Sequence, residues 1–147
     1  MSKLTDYGTV VMTRLASGTE RLHAASEIAA EIRVAVPTVS KILKTLTRAG
    51  LVISHRGAKG GYSLARPAST ISMVEIIDAL EGPVGLTECG SHPGACSQES
   101  SCTLRGNWQL INTAVRQALS AVSLANMAQP LVRYKVAPPM RPGARPL

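Results

Sequence analysis

The stretch PTVSKILKTLTRAGLVISHRGAKGGYSLAR, residues 37–66, contains a helix pattern followed at once by a hairpin pattern. Proline suits the first turn of a helix, so we expect a helix to begin at Pro37. Gly50 suits the left-handed residue that commonly ends a helix. Two short β-prone runs, LVISHR and YSLAR, then flank the glycine-rich segment GAKGG. These runs predict an antiparallel hairpin with a glycine-rich turn.

The predicted helix has two chemically distinct faces. At helical spacing, one arc is apolar and would face a core: Val39, Ile42, Leu43 and Leu46. The opposite arc carries cations and hydroxyls and no acid: Ser40, Lys41, Lys44, Thr45 and Arg48. A solvated Lys-rich face is the ordinary alternative, but the adjoining hairpin turn adds two more cations, Arg56 and Lys59. A basic helix beside a basic turn can approach DNA phosphates without repulsion, and Lys, Ser and Thr can contact base edges.

Helical patterns also lie on both sides of this stretch. Residues 4–15 carry an apolar stripe at helical spacing, and AASEIAAEI, residues 24–32, predicts a short second helix. Downstream, SMVEIIDALEGP pairs Ser72 with Glu75 at the spacing of a capping box. The order helix, helix, short turn, helix, hairpin is that of a winged helix-turn-helix. We therefore predict a mainly α fold with a small β-hairpin wing, in which residues 1–82 form the DNA-binding domain.

The net charge of +7 is distributed unevenly along the 147 residues. Residues 1–66 carry ten Lys or Arg against four acids, residues 67–104 five acids and no Lys or Arg, and residues 105–147 six basic residues and no acid. A basic third beside an acidic segment indicates a localised contact with a polyanion. We find no apolar run long enough for a membrane span and no secretory signal pattern, so we expect a cytoplasmic protein without membrane contact.

All three cysteines lie in CGSHPGACSQESSC, residues 89–102, within a linking segment predicted over residues 83–103. In a reducing cytosol, clustered thiols bind metal or sense redox state more often than they form disulfides. Six residues separate Cys89 from Cys96 and five separate Cys96 from Cys102, which is wider than the tight pairs of structural zinc sites. Such a loop can wrap a larger iron–sulfur cluster. A zinc site, a cluster-free thiol switch and three unrelated structural cysteines stay open as alternatives.

A fourth ligand would complete such a site. Within the loop, His92, Glu88 and Glu99 carry suitable atoms, and imidazole does ligate clusters in some proteins. His92 could equally be an exposed loop histidine that binds no metal. Radical enzymes also use three cysteines, but they need tighter spacing and a much larger domain, so we expect no enzyme activity and no small-molecule substrate.

The segment after the loop, residues 104–129, predicts one long helix. Its apolar residues alternate four and three apart, like a coiled-coil seam: Leu104, Trp108, Ile111, Val115, Ala118, Val122 and Ala125. Such a stripe could pack on its own domain. The seam is longer than the preceding elements can cover, so we expect a homodimer contact. Residues 130–147 contain five prolines and four basic residues and predict a flexible tail.

Four segments carry a resemblance to a known family: LTDYG near the start, TVSKILKTLTRAGLV, RGAKGGYSLAR and the three cysteines. They resemble the Rrf-type winged-helix transcription regulators, the group containing IscR and NsrR, over residues 2–128. Within the group, the chain is most similar to regulators of the SUF iron–sulfur assembly operon. The resemblance implies a homodimer on a pseudo-palindromic DNA operator, with Arg56 in the minor groove. It places Thr38, Ser40 and Lys41 at base edges, although Ser40 replaces an acidic base-reading residue of some members.

The resemblance also implies what the cysteine loop binds. Family members hold a [2Fe–2S] or [4Fe–4S] cluster on three cysteines, here Cys89, Cys96 and Cys102, although the first gap is one residue longer than usual. In the nitric-oxide-sensing branch, an aspartate from the first helix of the partner subunit completes a [4Fe–4S] site, and LTDYG places Asp6 at the matching position. Arg105 stands where some members have a histidine, and arginine has no acceptor atom. We therefore expect Asp6 of the partner subunit as fourth ligand, with His92 as the alternative, in a repressor that senses iron–sulfur, redox or nitric oxide status.

Overall fold

The structure, a computed structural model, describes residues 2–18 and 20–129, so the predicted tail lies outside the described residues. In chain order, the elements are α1 (Lys3–Ser17), α2 (Ala25–Ile32), α3 (Val36–Arg48), β1 (Val52–His55), β2 (Gly61–Leu64), a 3-10 turn (Ala68–Thr70), α4 (Met73–Glu81), α5 (Glu88–Ser91), α6 (Arg105–Ser120) and α7 (Leu124–Ala128). The two strands pair antiparallel, with Val52 opposite Leu64 and His55 opposite Gly61. The predicted fold class, mainly α with a hairpin wing, is confirmed.

The apolar arc of α3 lies at the centre of the core. Its four predicted members are completely buried: Val39, Ile42, Leu43 and Leu46. They pack with Val11, Met12 and Leu15 of α1 and with Ile76 of α4. Burying a side chain of this size contributes about 1.5–3 kcal/mol. The core therefore fixes which face of α3 can point to solvent.

The two predicted helix ends around this core are confirmed. Gly50 adopts a left-handed conformation with φ +75°, and the Leu51 N–H donates to the carbonyl of Leu46 at 3.0 Å, closing α3. At the start of α4, Ser72 and Glu75 form the predicted capping box: the Ser72 N–H donates to Glu75 at 2.8 Å, and Ser72 Oγ accepts from the Glu75 N–H.

The wing is joined to the helical core through the loop between α1 and α2. The N–H of His23 donates to the carbonyl of Tyr62 at 3.1 Å, and the Tyr62 N–H donates back at 2.8 Å. The imidazole of His23 is buried, with Nε2 3.0 Å from the carbonyl oxygen of Gly18. These bonds form an isolated antiparallel bridge on the other side of β2 from β1 and hold the wing base beside α1.

The prediction of a single helix over residues 104–129 is wrong. α6 ends at Ser120, and Ser123 forms a capping box with Asn126 that begins α7. Between the two helices the chain pairs with the segment before α4: the Met73 N–H donates to the Val122 carbonyl at 2.9 Å, and the Leu124 N–H donates to the Ile71 carbonyl at 2.8 Å. Leu124 enters the core, so the end of the predicted seam packs on the winged-helix domain. No helix among the described residues is long and apolar enough to cross a membrane.

A carboxylate at the end of α4 caps the beginning of α1. The Thr5 hydroxyl donates to Glu81, and the Ser2 N–H donates to the same oxygen at 2.5 Å. Together these bonds lower the pKa of Glu81 to about 2 from its ordinary 4.5, first through Thr5 and then through Ser2. The carboxylate also faces the positive end of the α1 dipole. Glu81 therefore ties the two helices together most strongly while it is ionised.

We expect Glu81→Gln to destabilise the fold at pH 7. Because the folded pKa lies below 4.5, the ionised side chain contributes stability above pH 4.5, and that contribution is lost as the pH falls towards 2. Denaturant unfolding of both proteins at several pH values measures this: the gap between their midpoints should close over that window. Glu20→Gln removes a charge from an exposed loop residue and serves as control. A constant gap from pH 7 to pH 2.5 would contradict the assignment.

Candidate nucleic-acid interface and cysteine loop

The polar arc predicted for α3 forms one continuous, shallow surface. Pro37 lines this surface at its N-terminal end, followed by the predicted residues Ser40, Lys41, Lys44, Thr45 and Arg48. Thr38, the other predicted base contact, is half-buried in the first turn of α3. The Thr45 hydroxyl donates to the carbonyl of Lys41 at 3.0 Å, which leaves its oxygen free to accept. Lys41, Lys44 and Arg48 therefore supply the donors of this surface, and Thr45 adds an acceptor.

The hairpin turn carries the other two predicted cations. Arg56 and Lys59 are both exposed, in the segment between β1 and β2. Gly57 adopts φ +112°, a conformation that L side chains rarely take, and permits the tight turn. The backbone of the turn thus presents both side chains to solvent.

Ion pairing distinguishes these cations from five arginines elsewhere in the described residues. Five arginines pair with acids: Arg14 with Glu31, Arg21 with Glu27, Arg66 with Glu75, Arg105 with Glu99 and Arg116 with Asp78. In the described part of the chain, no acid lies within 4.0 Å of any cation on α3 or the wing turn: Lys41, Lys44, Arg48, Arg56 and Lys59. The positive charge on this side of the molecule is therefore not neutralised internally.

Arg33 is a cation that the sequence reasoning missed. It ends α2 in a left-handed conformation with φ +56°, and its N–H donates to the carbonyl of Ala29. Left-handed backbone costs a non-glycine residue about 1 kcal/mol. Arg33 is exposed in the turn that leads into α3, and no acid pairs with it among the described residues. The sequence RVAV, residues 33–36, was the signal for this conformation. It leaves only a short connection between two helix patterns, and such a tight turn favours a left-handed residue.

The cysteine loop folds into short turns rather than one extended strand. Cys89 lies in α5, and its sulfur is 3.3 Å from the Thr87 hydroxyl. Cys96 is half-buried and Cys102 is exposed, and all three thiols are free. Gly94, within the first gap that is one residue longer than usual, adopts φ +83°.

The chemistry of this donor set fits an iron–sulfur cluster, because thiolates are its usual protein ligands. The chain alone does not gather the donors: across residues 2–18 and 20–129, no three His, Cys, Asp or Glu side chains lie close enough to hold one ion. Asp6 is exposed on α1 and His92 is exposed after α5. A completed site therefore requires movement of the loop, a second chain, or both.

Two polar side chains, Glu99 and Asn112, make contacts that restrict the loop, and the contacts of Glu99 engage one of the candidate ligands. Glu99 pairs with Arg105 at 2.8 Å and accepts from the Gly94 N–H at 2.5 Å, so this carboxylate already holds the loop together. Asn112 of α6, only 9% exposed, donates to the carbonyl of Gly90 at 3.2 Å, next to Cys89. The burial of Asn112 was not predicted, because an Asn in an amphipathic helix is expected to face solvent.

An ion pair connects α6 to the winged-helix domain. Arg116 donates to both oxygens of Asp78 on α4, at 3.0 and 2.8 Å, and Asp78 also accepts from the Val84 N–H at 2.8 Å. Burial raises the pKa of Asp78, but the hydrogen bonds from Arg116 and Val84 outweigh it and leave the pKa below its ordinary value. α6 is therefore held to the cysteine loop on one turn and to α4 on the next.

The outer face of α6 is apolar and uncovered. Three large side chains of this face are exposed, Leu104 just before the helix, Trp108 and Ile111, and Leu110 is exposed on another side of the helix. The first three belong to the predicted seam. Asp6 borders a separate groove lined mainly by apolar side chains of α1, α4, α6 and α7, among them Val10, Ile77 and Leu119.

Comparisons with known proteins identify the family. A profile of the Rrf2 family, described as "Iron-dependent Transcriptional regulator", matches residues 1–130. The chain belongs to the Rrf2 family. It is 36% identical to protein aau3 of Rhizobium meliloti over 121 residues, covering 82% of this chain and 75% of aau3. It is therefore a DNA-binding transcription regulator and not an enzyme.

Solved structures give the same fold. CymR, the global cysteine regulator of B. subtilis, has a TM-score of 0.69 and 29% identity, covering 87% of this chain and 95% of CymR. IscR of T. potens has a TM-score of 0.66 and 28% identity, covering 86% and 84%. The winged-helix arrangement predicted from the sequence is thus shared with regulators of this family.

We expect Arg56→Ala and Lys44→Ala to weaken DNA binding in different ways. Loss of a base contact costs about 1–3 kcal/mol of discrimination, so Arg56→Ala should reduce the preference for operator over random DNA. Loss of a phosphate contact should lower the salt slope by about one unit, as in Lys44→Ala. Titrations at several salt concentrations measure both effects. Arg14→Ala, which removes an internally paired cation, should leave the slope unchanged; unaltered binding by the first two variants would exclude this face.

Proposed function

We propose that the chain is a homodimeric repressor that binds a pseudo-palindromic operator and responds to iron–sulfur or redox status through its cysteine loop. The observation that carries the DNA-binding surface is the concentration of five cations, with no acid, on α3 and the wing turn. Internal acids neutralise five arginines elsewhere in the described chain, yet none approaches these cations. A regulator of chromosomal genes would work in the cytoplasm.

On DNA, α3 would enter the major groove and the wing turn would follow the backbone into the minor groove. Thr38, Ser40 and Lys41, in the first turns of α3, would face base edges. The remaining cations and hydroxyl on this surface would contact phosphates: Lys44, Thr45, Arg48 and Lys59. Arg56 would enter the minor groove, where Arg is the favoured side chain.

The uncovered apolar face of α6 supports dimerisation through this helix. A second copy is the natural partner, because an exposed row with Trp108 at its start matches the aromatic anchors common in interfaces. Half-sites lie one helical turn of DNA apart, about 34–36 Å, so the dimer contact would set the distance between two α3 helices. The dimer would thus determine which operators can be bound.

The loop would hold a cluster through Cys89, Cys96 and Cys102, with Asp6 of the partner subunit as fourth ligand and His92 as the alternative. Support comes from the three free thiols, the exposure of Asp6 and the engagement of Glu99 elsewhere. When bound, the cluster would supply a centre that reacts with oxidants and nitric oxide. The family description as iron-dependent agrees with this, and SUF-type assembly genes are the expected targets.

The response would travel through contacts that this chain already makes. Asn112 connects the loop to α6, and the Arg116–Asp78 pair connects α6 to α4, which packs against α3. A change in loop order would therefore shift the two α3 helices relative to each other and alter the DNA-competent population.

A cluster-free thiol regulator is the second candidate function. The thiols are not gathered in the described chain, and the fold is similar to that of CymR, described as a global cysteine regulator. A zinc-bound regulator is the other form of this alternative. In each case the DNA surface and dimer contact would be unchanged.

We expect Ile111→Glu to produce a monomer with little operator affinity. Ile111 is exposed on the outer face of α6, so a carboxylate there should repel the second copy without disturbing the core. Val122 is unsuitable for this test, because it packs against the core. Light scattering reports the oligomeric state, and Gln117→Glu, also on exposed α6 surface, is the matched control. A dimeric Ile111→Glu protein would refute dimerisation through this face.

Anaerobic purification tests the cluster and its fourth ligand. We expect a brown protein with iron and sulfide, a colourless Cys102→Ser variant, and an altered absorption spectrum with a shorter lifetime in air for Asp6→Ala. His92→Ala should keep the native spectrum. A colourless wild-type protein with one zinc ion would exclude the cluster. A native Asp6→Ala spectrum together with a changed His92→Ala spectrum would make His92 the ligand.

A further inference from the structure

The leading end of α3 is apolar and exposed. Ala35, Val36 and Pro37 are consecutive, all exposed, and Val36 leaves 45% of its surface accessible. Their neighbours Val34 and Val39 pack in or against the core, whereas these three do not. The core therefore gives no reason for apolar side chains at these positions.

Helix formation explains only part of this tip. Pro37 suits the first turn because its ring fixes φ and its missing N–H needs no partner. Val36 has no comparable advantage, since β-branched residues are weaker helix formers than many polar ones. The sequence thus retains an exposed valine where a polar side chain would serve the helix equally well.

The tip is continuous with the cationic surface of α3. Pro37 lines the same shallow surface as Ser40, Lys41 and Lys44. Helices of this class meet base edges with their N-terminal residues, so the first side chains to enter the groove here would offer no hydrogen bond. The major groove exposes one apolar group, the C5-methyl of thymine. Apolar side chains and methyl groups would exclude water from each other.

We propose that Val36 and Pro37 contact thymine methyl groups and give the regulator a preference for A·T pairs at those operator positions. This inference rests on the proposed entry of α3 into the major groove. Its consequence is a form of base discrimination that depends on a methyl group and not on hydrogen bonds. The phosphate-contacting cations Lys44 and Arg48 would supply affinity for any sequence, and the tip would supply part of the selection.

Replacing thymine by deoxyuridine tests the contact, because it removes the methyl group and keeps the hydrogen-bonding pattern. An operator is first obtained by selecting tight duplexes from a random library with the full-length protein. Each half-site thymine is then replaced in turn, and affinities are measured at one salt concentration. Burial of one methyl contributes about 0.8 kcal/mol, so each contacted position should weaken binding about fourfold.

The protein side of the test uses the double variant Val36→Ala with Pro37→Ala. Its affinities for thymine and deoxyuridine operators should become nearly equal. Val10→Ala, on α1 with the same 45% exposure, is the matched control and should keep the wild-type ratio. Equal wild-type affinities at every thymine, or an unchanged ratio in the double variant, would overturn the inference. If α3 does not enter the major groove at all, Lys44→Ala will also leave affinity and salt slope unchanged. That result distinguishes a wrong placement of α3 from the absence of a methyl contact.

Discussion

Burial of the apolar arc of α3 is the constraint on which the arrangement of this molecule depends. Four side chains of this helix have no exposed surface, so α3 cannot rotate about its axis without losing most of its core contacts. That fixed orientation directs Lys41, Lys44 and Arg48 to solvent. The hairpin follows α3 directly and is held at its base by His23, so the wing turn has a set position beside the same face. The packing of α3 thus positions two cationic elements, its own polar arc and the wing turn.

The sequence was sufficient for elements whose determinants are local. The faces of α3, the Gly50 cap and the Ser72 capping box were all readable, because each depends on spacing within one turn or one helix. The break after α6 was not, since it depends on backbone bonds from Val122 and Leu124 to residues about fifty positions earlier. A seam pattern predicts a helix through such a break, because the apolar spacing continues while the chain changes direction. Arg33 and Asn112 were missed for the same reason: a strained turn and a buried amide become visible only in three dimensions.

The cysteine loop could be predicted as chemistry but not as geometry. Three thiols in a Gly- and Ser-rich segment define a donor set, yet the separation of their sulfurs depends on turns that the sequence encodes weakly. Glu99 illustrates the difficulty. Its carboxylate counts as a possible ligand in the sequence, whereas in the structure it pairs with Arg105 and caps the Gly94 N–H. With Glu99 engaged, Glu88 and His92 remain as exposed candidates in the loop, and Asp6 on α1 is an exposed carboxylate outside it.

The polar side chains of α6 connect the cysteine loop to α4. Asn112 and Arg116 lie four residues apart, hence on one side of the helix, and they bind the Gly90 carbonyl and Asp78. The apolar row with Trp108 and Ile111 is left exposed on α6. The helix therefore uses one side to hold the loop and α4 of its own chain, and its exposed apolar surface is left for the proposed dimer contact. In the proposed dimer, a displacement of the loop would act on α6, the helix that would set the separation of the two α3 helices. Because half-site spacing on DNA is fixed, a small rotation of α6 in that dimer would suffice to change operator affinity.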